Sequence, residues 1–359
     1  MSSQPPRSAL ESPTTDPTFL FEHYRGSYGT ELLTAAVAHF RLFDILADAP
    51  LAADELRARL GIAARPLVVL TTALRAMGLV EVDVDGKLTP SAAAREHLTS
   101  GGPFFVGDYV GLAAESPGVL EMVARLRTNR PRGAAGDDGA AEGAAGAAFI
   151  YREDLPSAME QEASARHLTL ALAGRAKNVA PALAKSCSTG GAAKLLDLGG
   201  GTGIYSIALV QANPELRAVV FDRPEVLKVA REFAAEFGVS ERVESAPGDM
   251  FADPLPSDCD IVLLSNILHD WDMPECRTLL RRAAGALKPG GRVWIHDVFL
   301  NDALDGPLPI ALYSAALFAL TEGRAYSAAE YREMLEAAGL TPGPLTPTAI
   351  HCGVLEGTK

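Results

Sequence analysis

An apolar run that ends in an acid and is followed by four glycines constrains the fold of this chain more than any other feature. The run Leu195–Leu198 leads into Gly-Gly-Gly-Thr-Gly over 199–203, and an apolar stretch at 204–210 can continue as a helix. A strand, a glycine turn and a helix in this order bring backbone amides close to a nucleotide-like ligand. Glycine suits this turn because it adopts positive φ and places no Cβ between backbone and ligand.

The spacing of the glycines excludes two common phosphate-binding motifs. A dinucleotide fingerprint needs G-x-G-x-x-G or a final alanine, but its last position is Ile204 counted from Gly199 and Ser206 counted from Gly201. A P-loop needs a lysine after the last glycine, and none follows here. The remaining pattern, D-x-G-x-G-x-G, resembles the first motif of the S-adenosylmethionine-dependent methyltransferases. The candidate cofactor residues in this stretch are Asp197, Gly199, Gly201 and Gly203.

Strand and helix patterns alternate regularly beyond the turn. Strands are predicted at 217–222, 242–245, 260–266 and 292–298, and helices at 224–237, 274–287 and 328–338. The sequence Lys-Pro-Gly-Gly at 288–291 is expected to close the second of these helices, and 344–355 should add one or two antiparallel strands. Repeated strand–helix units predict an α/β fold with a doubly wound, Rossmann-like, mostly parallel sheet. Its ligands should bind at the carboxyl ends of the strands.

The first part of the chain has a different organisation. Apolar residues recur at helical spacing over 19–46, 53–60 and 64–77, and Asp85-Gly86 marks a hairpin between two short strands. Helices followed by a small hairpin predict a winged helix, which we interpret as a packing and dimerisation module. DNA binding is the alternative. However, the helix at 65–75 has no Lys, Arg, Asn or Gln between its terminal arginines to read bases or contact phosphates.

These patterns divide the chain into four segments. They are a flexible polar tail at 1–17, an N-terminal all-α winged-helix dimerisation domain at 18–103, a helical substrate-pocket and linker region at 104–190 and an S-adenosylmethionine-binding catalytic domain at 191–359. The third segment contains Gly/Ala-rich sequence at 133–148 that is expected to form a mobile loop.

Composition and charge exclude several classes of protein. The formal net charge of −13 argues against a nucleic-acid partner bound over a broad basic surface. No apolar run approaches 18 residues and the N-terminus has no signal core, which predicts a soluble, cytoplasmic protein without a membrane partner. Cys187, Cys259, Cys276 and Cys352 form no C-x-x-C pair, so free thiols in a reducing compartment are favoured over disulfides or zinc.

Two acids follow predicted strands where an adenosyl ligand would lie. Asp222 ends the strand after the glycine turn, and a carboxylate there can accept hydrogen bonds from both ribose hydroxyls. Asp249 follows the next strand and can accept from an adenine amino group. Met250 and Phe251 beside it can supply apolar contact with the ring. In register with the glycine turn, these residues predict a site for the adenosyl group.

His269 is the candidate general base. A methyl sulfonium is already electrophilic, so the enzyme has to make the acceptor nucleophilic and hold it in line. A phenol has an ordinary pKa near 10, and a neutral histidine near pH 7 is a suitable base for it. His269 follows the strand at 260–266, and Asp297, at the end of the next strand, can hold its ring. His296 should point to the opposite face from Asp297.

A metal-assisted reaction is the alternative to a histidine base. Asp258, Asp260 and Asp297 can in principle hold Mg²⁺, as in the metal-dependent catechol methyltransferases. The sequence contains no compact cluster of ligands, so no metal is predicted.

Five stretches together resemble the plant-type and bacterial small-molecule O-methyltransferases, the group that includes caffeate, hydroxyindole and antibiotic-tailoring enzymes. The matching stretches are 197–203, Phe221-Asp222-Arg223-Pro224, Gly248-Asp249-Met250-Phe251, Leu268-His269-Asp270-Trp271 and 288–291. The resemblance implies S-adenosylmethionine as cofactor and a homodimer through intertwined N-terminal domains. It also implies His269 as the base with Asp270 beside it. The implied cofactor contacts are Gly199, Asp222, Arg223, Asp249, Met250 and the strand end near Ser265.

Two positions depart from the plant members of that family. Plant enzymes usually carry a second acid where Ala325 stands and a lysine where Ser265 stands. The sequence therefore does not predict a simple clamp of two acids on His269, and Glu322 is the acid that lies close in sequence. The expected activity is O-methylation of a phenolic or enolic small molecule in bacterial secondary metabolism, such as antibiotic biosynthesis. C- or N-methylation, or a fold relative that binds the cofactor without methyl transfer, are the alternatives.

Overall fold

Helices and strands occupy most of residues 5–130 and 162–359, the parts of the chain that the computed structural model describes. The α-helices are α1 (Thr18–Arg25), α2 (Gly29–Thr34), α3 (Leu42–Asp48), α4 (Ala53–Leu60), α5 (Ala64–Ala76), α6 (Ala92–His97), α7 (Gly107–Val110), α8 (Pro117–Thr128), α9 (Glu162–Ser186), α10 (Ile204–Ala212), α11 (Pro224–Glu236), α12 (Met273–Ala286), α13 (Leu308–Leu320) and α14 (Ala328–Ala337). The strands are β1 (Val80–Val82), β2 (Leu88–Pro90), β3 (Lys194–Leu198), β4 (Arg217–Asp222), β5 (Val243–Pro247), β6 (Cys259–Ser265), β7 (Leu287–Leu300), β8 (Tyr326–Ser327), β9 (Thr341–Pro347) and β10 (Cys352–Thr358). The loop predicted at 133–148 lies outside the described residues.

The large sheet has the strand order β5-β4-β3-β6-β7-β10-β9. The pairs from β5 to β7 are parallel, whereas β10 runs antiparallel to both β7 and β9. The predicted α/β fold with a mostly parallel sheet is confirmed. The chain builds outward from β3 to β5 and then returns to β6 on the other side of β3. The carboxyl ends of β3 and β6 therefore flank the switch point where ligands bind in such sheets.

The described residues cluster into two compact units. The sheet unit comprises Met1–Phe21, Ala147–Phe299 and Ala328–Lys359, and the helical unit comprises Glu22–Gly146 and Leu300–Ser327. These boundaries differ from the predicted segments, because α13 belongs with the N-terminal helices and α9 with the sheet. In α13 the residues Ile310, Ala311 and Phe318 are fully buried, and the helix packs on α5 within the helical unit. The regular alternation of strands and helices in the sequence does not indicate that α13 packs with the N-terminal helices or that α9 packs with the sheet.

The predicted flexible tail at 1–17 is wrong for the residues around Arg7. The Arg7 amide donates to the carbonyl of Glu236 at 3.2 Å, and the Arg7 guanidinium pairs with the Glu236 carboxylate. The side chain of Gln211 accepts from the Ala9 amide at 2.7 Å and donates to the Arg7 carbonyl at 3.0 Å. Polar, proline-rich composition predicted mobility, but these contacts with α10 and α11 fix the segment.

The Lys-Pro-Gly-Gly stretch at 288–291 belongs to a strand, not to a loop closing α12 as predicted. Strand β7 begins at Leu287, directly after α12. Gly290 has φ +75° and its amide donates to the carbonyl of Lys359, while the Lys359 amide donates to Gly291. The register with β6 shifts between Cys259 and Ile261 at this point. Hydrogen bonds to the distant C-terminus thus turn a loop-like sequence into an irregular strand.

The helical unit departs from the predicted helices at two places. The helical pattern over 19–46 is interrupted by a 3-10 turn, by a π-helical turn at Ala35–His39 and by Arg41, whose φ is +47°. The first part of the predicted helical region at 104–190 gives two helices, α7 and α8, because Pro117 begins α8 as a new helix. Antiparallel β1 and β2 form the predicted hairpin after α4 and α5.

Helix α5, the recognition helix of a DNA-binding interpretation, lies inside the helical unit. Its residues Leu67, Val69, Leu70, Ala73 and Leu74 are buried. Arg65 is also buried and donates to Asn129 at 2.9 Å and to the Gly323 carbonyl at 3.2 Å. This burial argues against α5 reading DNA. Among the described residues, no helix combines the length and apolar composition needed to cross a membrane.

Candidate active site

The glycine turn follows β3 and leads into α10. Gly199, Gly201 and Gly203 have φ values of +72°, +59° and +70°, which only glycine adopts without strain. At Gly200 a Cβ would lie 2.6 Å from Cγ of Asp197 and 2.9 Å from Cγ1 of Val220. Glycine is therefore required in this turn for two reasons, the backbone conformation and the close packing beneath the turn.

Asp197 lies buried beneath this turn, with 1% of its surface exposed. The Ser206 hydroxyl donates to its Oδ2 at 2.6 Å, and its Oδ1 has no hydrogen-bond partner within the described part of the chain. Burial raises the pKa of Asp197 to about 7, more than the Ser206 hydrogen bond lowers it. A buried acceptor left open beside a glycine cradle fits a ligand that carries hydroxyl or ammonium donors.

Asp222, at the end of β4, is held in place by two backbone amides. Its Oδ2 accepts from Gly201 at 2.9 Å and its Oδ1 accepts from Arg223 at 2.7 Å. Burial nevertheless raises the pKa of Asp222. Each carboxylate oxygen retains a further lone pair, so both can still accept a ribose hydroxyl.

Arg223 and Asp249, both predicted to contact the cofactor, bind each other. The Arg223 guanidinium donates to Oδ2 of Asp249 at 3.0 Å, and Oδ1 of Asp249 accepts from the Phe251 amide at 2.7 Å. The Phe251 ring packs edge-on against Trp271 with centroids 4.6 Å apart. Met250 lies near the turn, its Sδ 3.8 Å from the Cβ position of Gly199. The structure therefore gathers the predicted adenosyl residues at one end of the sheet.

Ser265, at the end of β6, belongs to a buried polar cluster. Its Oγ lies 2.8 Å from Nδ1 of His296 and accepts a hydrogen bond from the side-chain Nδ2 of Asn266 at 3.1 Å. Burial, followed by the nearby charge of Arg175, lowers the pKa of His296 to about 3, so this histidine is neutral. His296 and Asp297 face opposite sides of β7, as the strand pleat requires.

Arg175 is a residue of this cluster that the sequence reasoning missed. It lies on α9 and donates to Oδ1 of Asn266 and to Sγ of Cys352, each at 2.7 Å. The partners are 91 and 177 residues away along the chain, and no motif marks either pairing.

His269 and Asp297 form a short buried hydrogen bond. Nδ1 of His269 lies 2.6 Å from Oδ1 of Asp297, and that oxygen also accepts from the Val298 amide at 2.8 Å. The side chains are 6% and 1% exposed. On the other side of the ring, Nε2 of His269 lies 3.6 Å from Oδ1 of Asp270. The structure thus brings together the three residues that the sequence proposed for proton transfer.

The electrostatics of this group favour a proton on Nδ1. Burial is the largest influence on the pKa of His269 and lowers it, but Asp297 and Asp270 together raise that pKa above its usual 6.5. His269 in turn holds the pKa of Asp297 below 3.8, although burial opposes this. Burial raises the pKa of Asp270 to about 6. An ionised Asp297 that accepts the Nδ1 proton leaves the lone pair of the ring on Nε2.

Cys276 holds the turn that carries His269, and sequence reasoning missed this role as well. Leu268–Asp270 forms a single 3-10 turn after β6. The Cys276 thiol, fully buried on α12, lies 3.1 Å from the carbonyl of Leu268 and 3.4 Å from that of Trp271.

The acids considered for a metal do not come together. Asp260 lies near the amino end of β6 and pairs with Lys288, whereas Asp297 lies near the carboxyl end of the parallel neighbour β7. About six residues of strand separate the two levels, or roughly 20 Å. Over residues 5–130 and 162–359, no group of three or more His, Cys, Asp or Glu side chains could hold a metal ion.

The two departures from the plant pattern lie in the helical unit and on β6. Ala325 is fully buried and its amide donates to the Ser314 hydroxyl at 3.1 Å. Glu322 is buried, with 7% of its surface exposed. A role for Glu322 at the base stays a prediction. At the other position, Ser265 bonds to a neutral histidine and offers no cation of its own.

Comparison with known proteins defines the class and then the family. The parallel sheet with a glycine turn at its switch point is the fold of S-adenosylmethionine-dependent methyltransferases. Solved structures of the same fold include human N-acetylserotonin methyltransferase with S-adenosylmethionine and PigF with S-adenosylhomocysteine. A family model described as an O-methyltransferase domain matches residues 157–341, just over half of the chain. The chain belongs to this O-methyltransferase family and is an S-adenosylmethionine-dependent methyltransferase.

Individual relatives cover nearly the whole chain. The 3-hydroxy-5-methyl-1-naphthoate 3-O-methyltransferase of Streptomyces sahachiroi is 36% identical over 325 residues, 90% of this chain and 89% of the relative. The L-tyrosine C(3)-methyltransferase of Streptomyces lavendulae is 32% identical over 328 residues, 88% and 85% of the two chains. The O-methyltransferase family 2 protein from Planctomyces limnophilus DSM 3776, solved in complex with apigenin, is 44% identical with a TM-score of 0.87, covering 99% of this chain and 100% of the other.

Gly200→Ala should weaken S-adenosylmethionine binding at least about tenfold, roughly 1.4 kcal/mol. The added methyl group would overlap Asp197 and Val220 and would push the turn out of position. Titration calorimetry with S-adenosylmethionine measures the effect.

Gly174→Ala is the matched control, because Gly174 lies in the interior of α9 and a Cβ there meets nothing within 4 Å. Wild-type affinity in Gly200→Ala would show that the turn does not form the cofactor site.

Proposed function

We propose that the chain transfers the methyl group of S-adenosylmethionine to a phenolic or enolic oxygen of a small aromatic molecule, with His269 as general base. The observation that carries this proposal is the buried 2.6 Å hydrogen bond between His269 and Asp297 at the carboxyl edge of the sheet. Relatives that act on a hydroxynaphthoate or that bind apigenin support an aromatic substrate. The Streptomyces relatives support a place in bacterial secondary metabolism, antibiotic biosynthesis included.

The glycine turn and the acids around it fit S-adenosylmethionine. Gly199 and Gly201 would let the ligand approach the backbone, and Asp222 would accept from the ribose. Asp249 and Met250 would contact the adenine, and the open oxygen of Asp197 suits the ammonium or a bridging water. When bound, the cofactor supplies a methyl group on an electrophilic sulfonium, so the protein has only to prepare the acceptor.

His269 prepares the acceptor by taking its proton. Asp297 accepts a hydrogen bond from Nδ1 of His269, so Nε2 is the basic atom of the ring. At Nε2 a neutral imidazole can accept the proton of a phenol while the phenol oxygen attacks the methyl group. The resulting imidazolium is stabilised by Asp297 on one side and by the Asp270 carboxylate, 3.6 Å from Nε2, on the other. Since His269 is 5% exposed and the Asp270 side chain 29% exposed, Asp270 also provides the more solvent-accessible end of the group.

His269→Ala should lower kcat by about 10²- to 10⁴-fold while S-adenosylmethionine still binds.

In the wild type, activity should fall as the pH drops through the pKa of His269, because only the neutral ring accepts a proton. Because Asp297 and Asp270 raise this pKa, the fall should begin above pH 6.5. Initial rates over a pH series, with calorimetry for cofactor binding, measure both effects.

His97→Ala, at an exposed histidine of the helical unit, is the control. A wild-type rate in His269→Ala would remove His269 from the role of base.

Transfer to carbon or nitrogen is the second candidate, and the relative that methylates C(3) of L-tyrosine favours the carbon case. A phenolate is nucleophilic at its ring carbons as well as at oxygen, so the same base can serve both reactions.

Methyl-labelled S-adenosylmethionine, incubated with a panel of hydroxynaphthoates, flavones and L-tyrosine, should place the label on oxygen. Mass spectrometry and carbon NMR of the product locate the methyl group, and one S-adenosylhomocysteine should form per turnover. Label on carbon or nitrogen would favour the second candidate, and turnover without S-adenosylhomocysteine would exclude methyl transfer.

We also propose that the protein is a homodimer formed through its N-terminal helical region, residues 18–103 and the segment that follows. Apolar side chains are strongly exposed there, namely Phe104 (60%), Val106 (43%), Tyr109 (78%) and Leu112 (81%). A second copy of the chain would cover them. Substrate binding by residues 104–190 and a cytoplasmic location remain predictions.

Leu112→Glu should shift the molar mass from dimer to monomer, because a buried unpaired carboxylate is costly at an interface. Light scattering after size exclusion at micromolar concentration measures the mass. Leu10→Glu, at a leucine that is 40% exposed in the N-terminal segment, is the control. A monomeric wild type, or a dimeric Leu112→Glu, would exclude this interface.

A further inference from the structure

The second oxygen of Asp297 is bonded to Tyr331. The Tyr331 hydroxyl on α14 donates to Oδ2 of Asp297 at 3.3 Å, while Oδ1 accepts from His269 and from the Val298 amide. Tyr331 is fully buried, and Asp297 is 1% exposed. The carboxylate is therefore bonded through both of its oxygens in a place without competing solvent.

Packing fixes the direction in which the Tyr331 hydroxyl points. The ring of Phe299 meets the Tyr331 ring edge-on, with centroids 5.7 Å apart and an interplanar angle of 77°. Phe299 is two residues beyond Asp297 on β7, so the two side chains lie on the same face of the strand. One strand thus supplies both the ring that holds Tyr331 and the acceptor that its hydroxyl reaches.

We infer that Tyr331 is a positioning residue for the general base, acting through Asp297 on the imidazole of His269. A carboxylate bonded through one oxygen can turn about its Cβ–Cγ bond, whereas bonds to both oxygens define its plane. The plane of Asp297 sets the orientation of the His269 ring and hence the direction of its Nε2 lone pair. This inference rests on the proposed role of His269 as base.

A neutral donor suits this position better than a third acid would. His269 already has two carboxylates beside it, Asp297 from β7 and Asp270 from its own turn, while the charge of Arg175 on α9 opposes them. Another acid would favour the protonated, inactive ring. A tyrosine hydroxyl orients Asp297 and draws charge from it without adding any.

Tyr331→Phe tests the inference, because it removes the hydroxyl and keeps the ring that packs on Phe299. We expect kcat to fall about three- to tenfold, with KM for S-adenosylmethionine and for the acceptor unchanged, since a misaligned base affects only the chemical step. In a His269→Ala background the same substitution should have no further effect. Tyr24→Phe, at a tyrosine that is 82% exposed, is the matched control.

Proton NMR gives a readout that needs no methyl acceptor. The short His269–Asp297 bond should give a strongly downfield Nδ1 proton resonance that is lost in His269→Ala and shifted in Tyr331→Phe. An unmoved resonance in Tyr331→Phe would overturn the inference, as would an equal loss of kcat with and without His269. If His269→Ala lowers kcat but Tyr331→Phe does not, the positioning role fails and the proposed function stands. If His269→Ala retains the wild-type kcat, both fail.

Discussion

A buried carboxylate needs hydrogen bonds and a compensating charge from the groups around it. The candidate active site depends on the groups that supply these to Asp297. Removing an ion from water costs several kcal/mol unless charge and hydrogen bonds replace the lost hydration. Asp297 accepts hydrogen bonds from Nδ1 of His269, from a backbone amide and from the Tyr331 hydroxyl. The pairing fixes the imidazole in one orientation and one tautomer. The same contacts that make this carboxylate tolerable in the interior also make His269 suitable as a base.

Strand order brings this pair beside the residues proposed to bind the cofactor. The glycine turn, Asp222 and Asp249 follow β3, β4 and β5, whereas His269 and Asp297 belong to the ends of β6 and β7. Because β3 and β6 are parallel neighbours, the two groups of residues approach from opposite sides of one switch point. The residues proposed to bind the methyl donor and the residue proposed as proton acceptor thus come from separate halves of the sheet.

Local signals made much of the fold and of the candidate cofactor site predictable. Strand and helix periodicity, the glycine spacing and the hairpin signal each depend on a few neighbouring residues, and those elements lie where they were expected. The docked N-terminal segment, the strand at 288–291 and the exchange of α13 into the helical unit were not foreseen. Each depends on contacts with distant residues, such as Glu236, Lys359 and helix α5, that no local pattern encodes.

The sequence by itself determined the α/β sheet, the glycine turn and its ligand class, because backbone conformation and the spacing of acids after strands are local properties. It also singled out His269, since this histidine follows a strand that ends at the same edge of the sheet as the glycine turn. Only the tertiary structure decided what surrounds that histidine. Arg175, Cys276 and Tyr331 reach the site from three helices, α9, α12 and α14. The contacts of Arg175 and Tyr331 join residues 34 to 177 positions apart in the chain, so they exist only once the chain has folded.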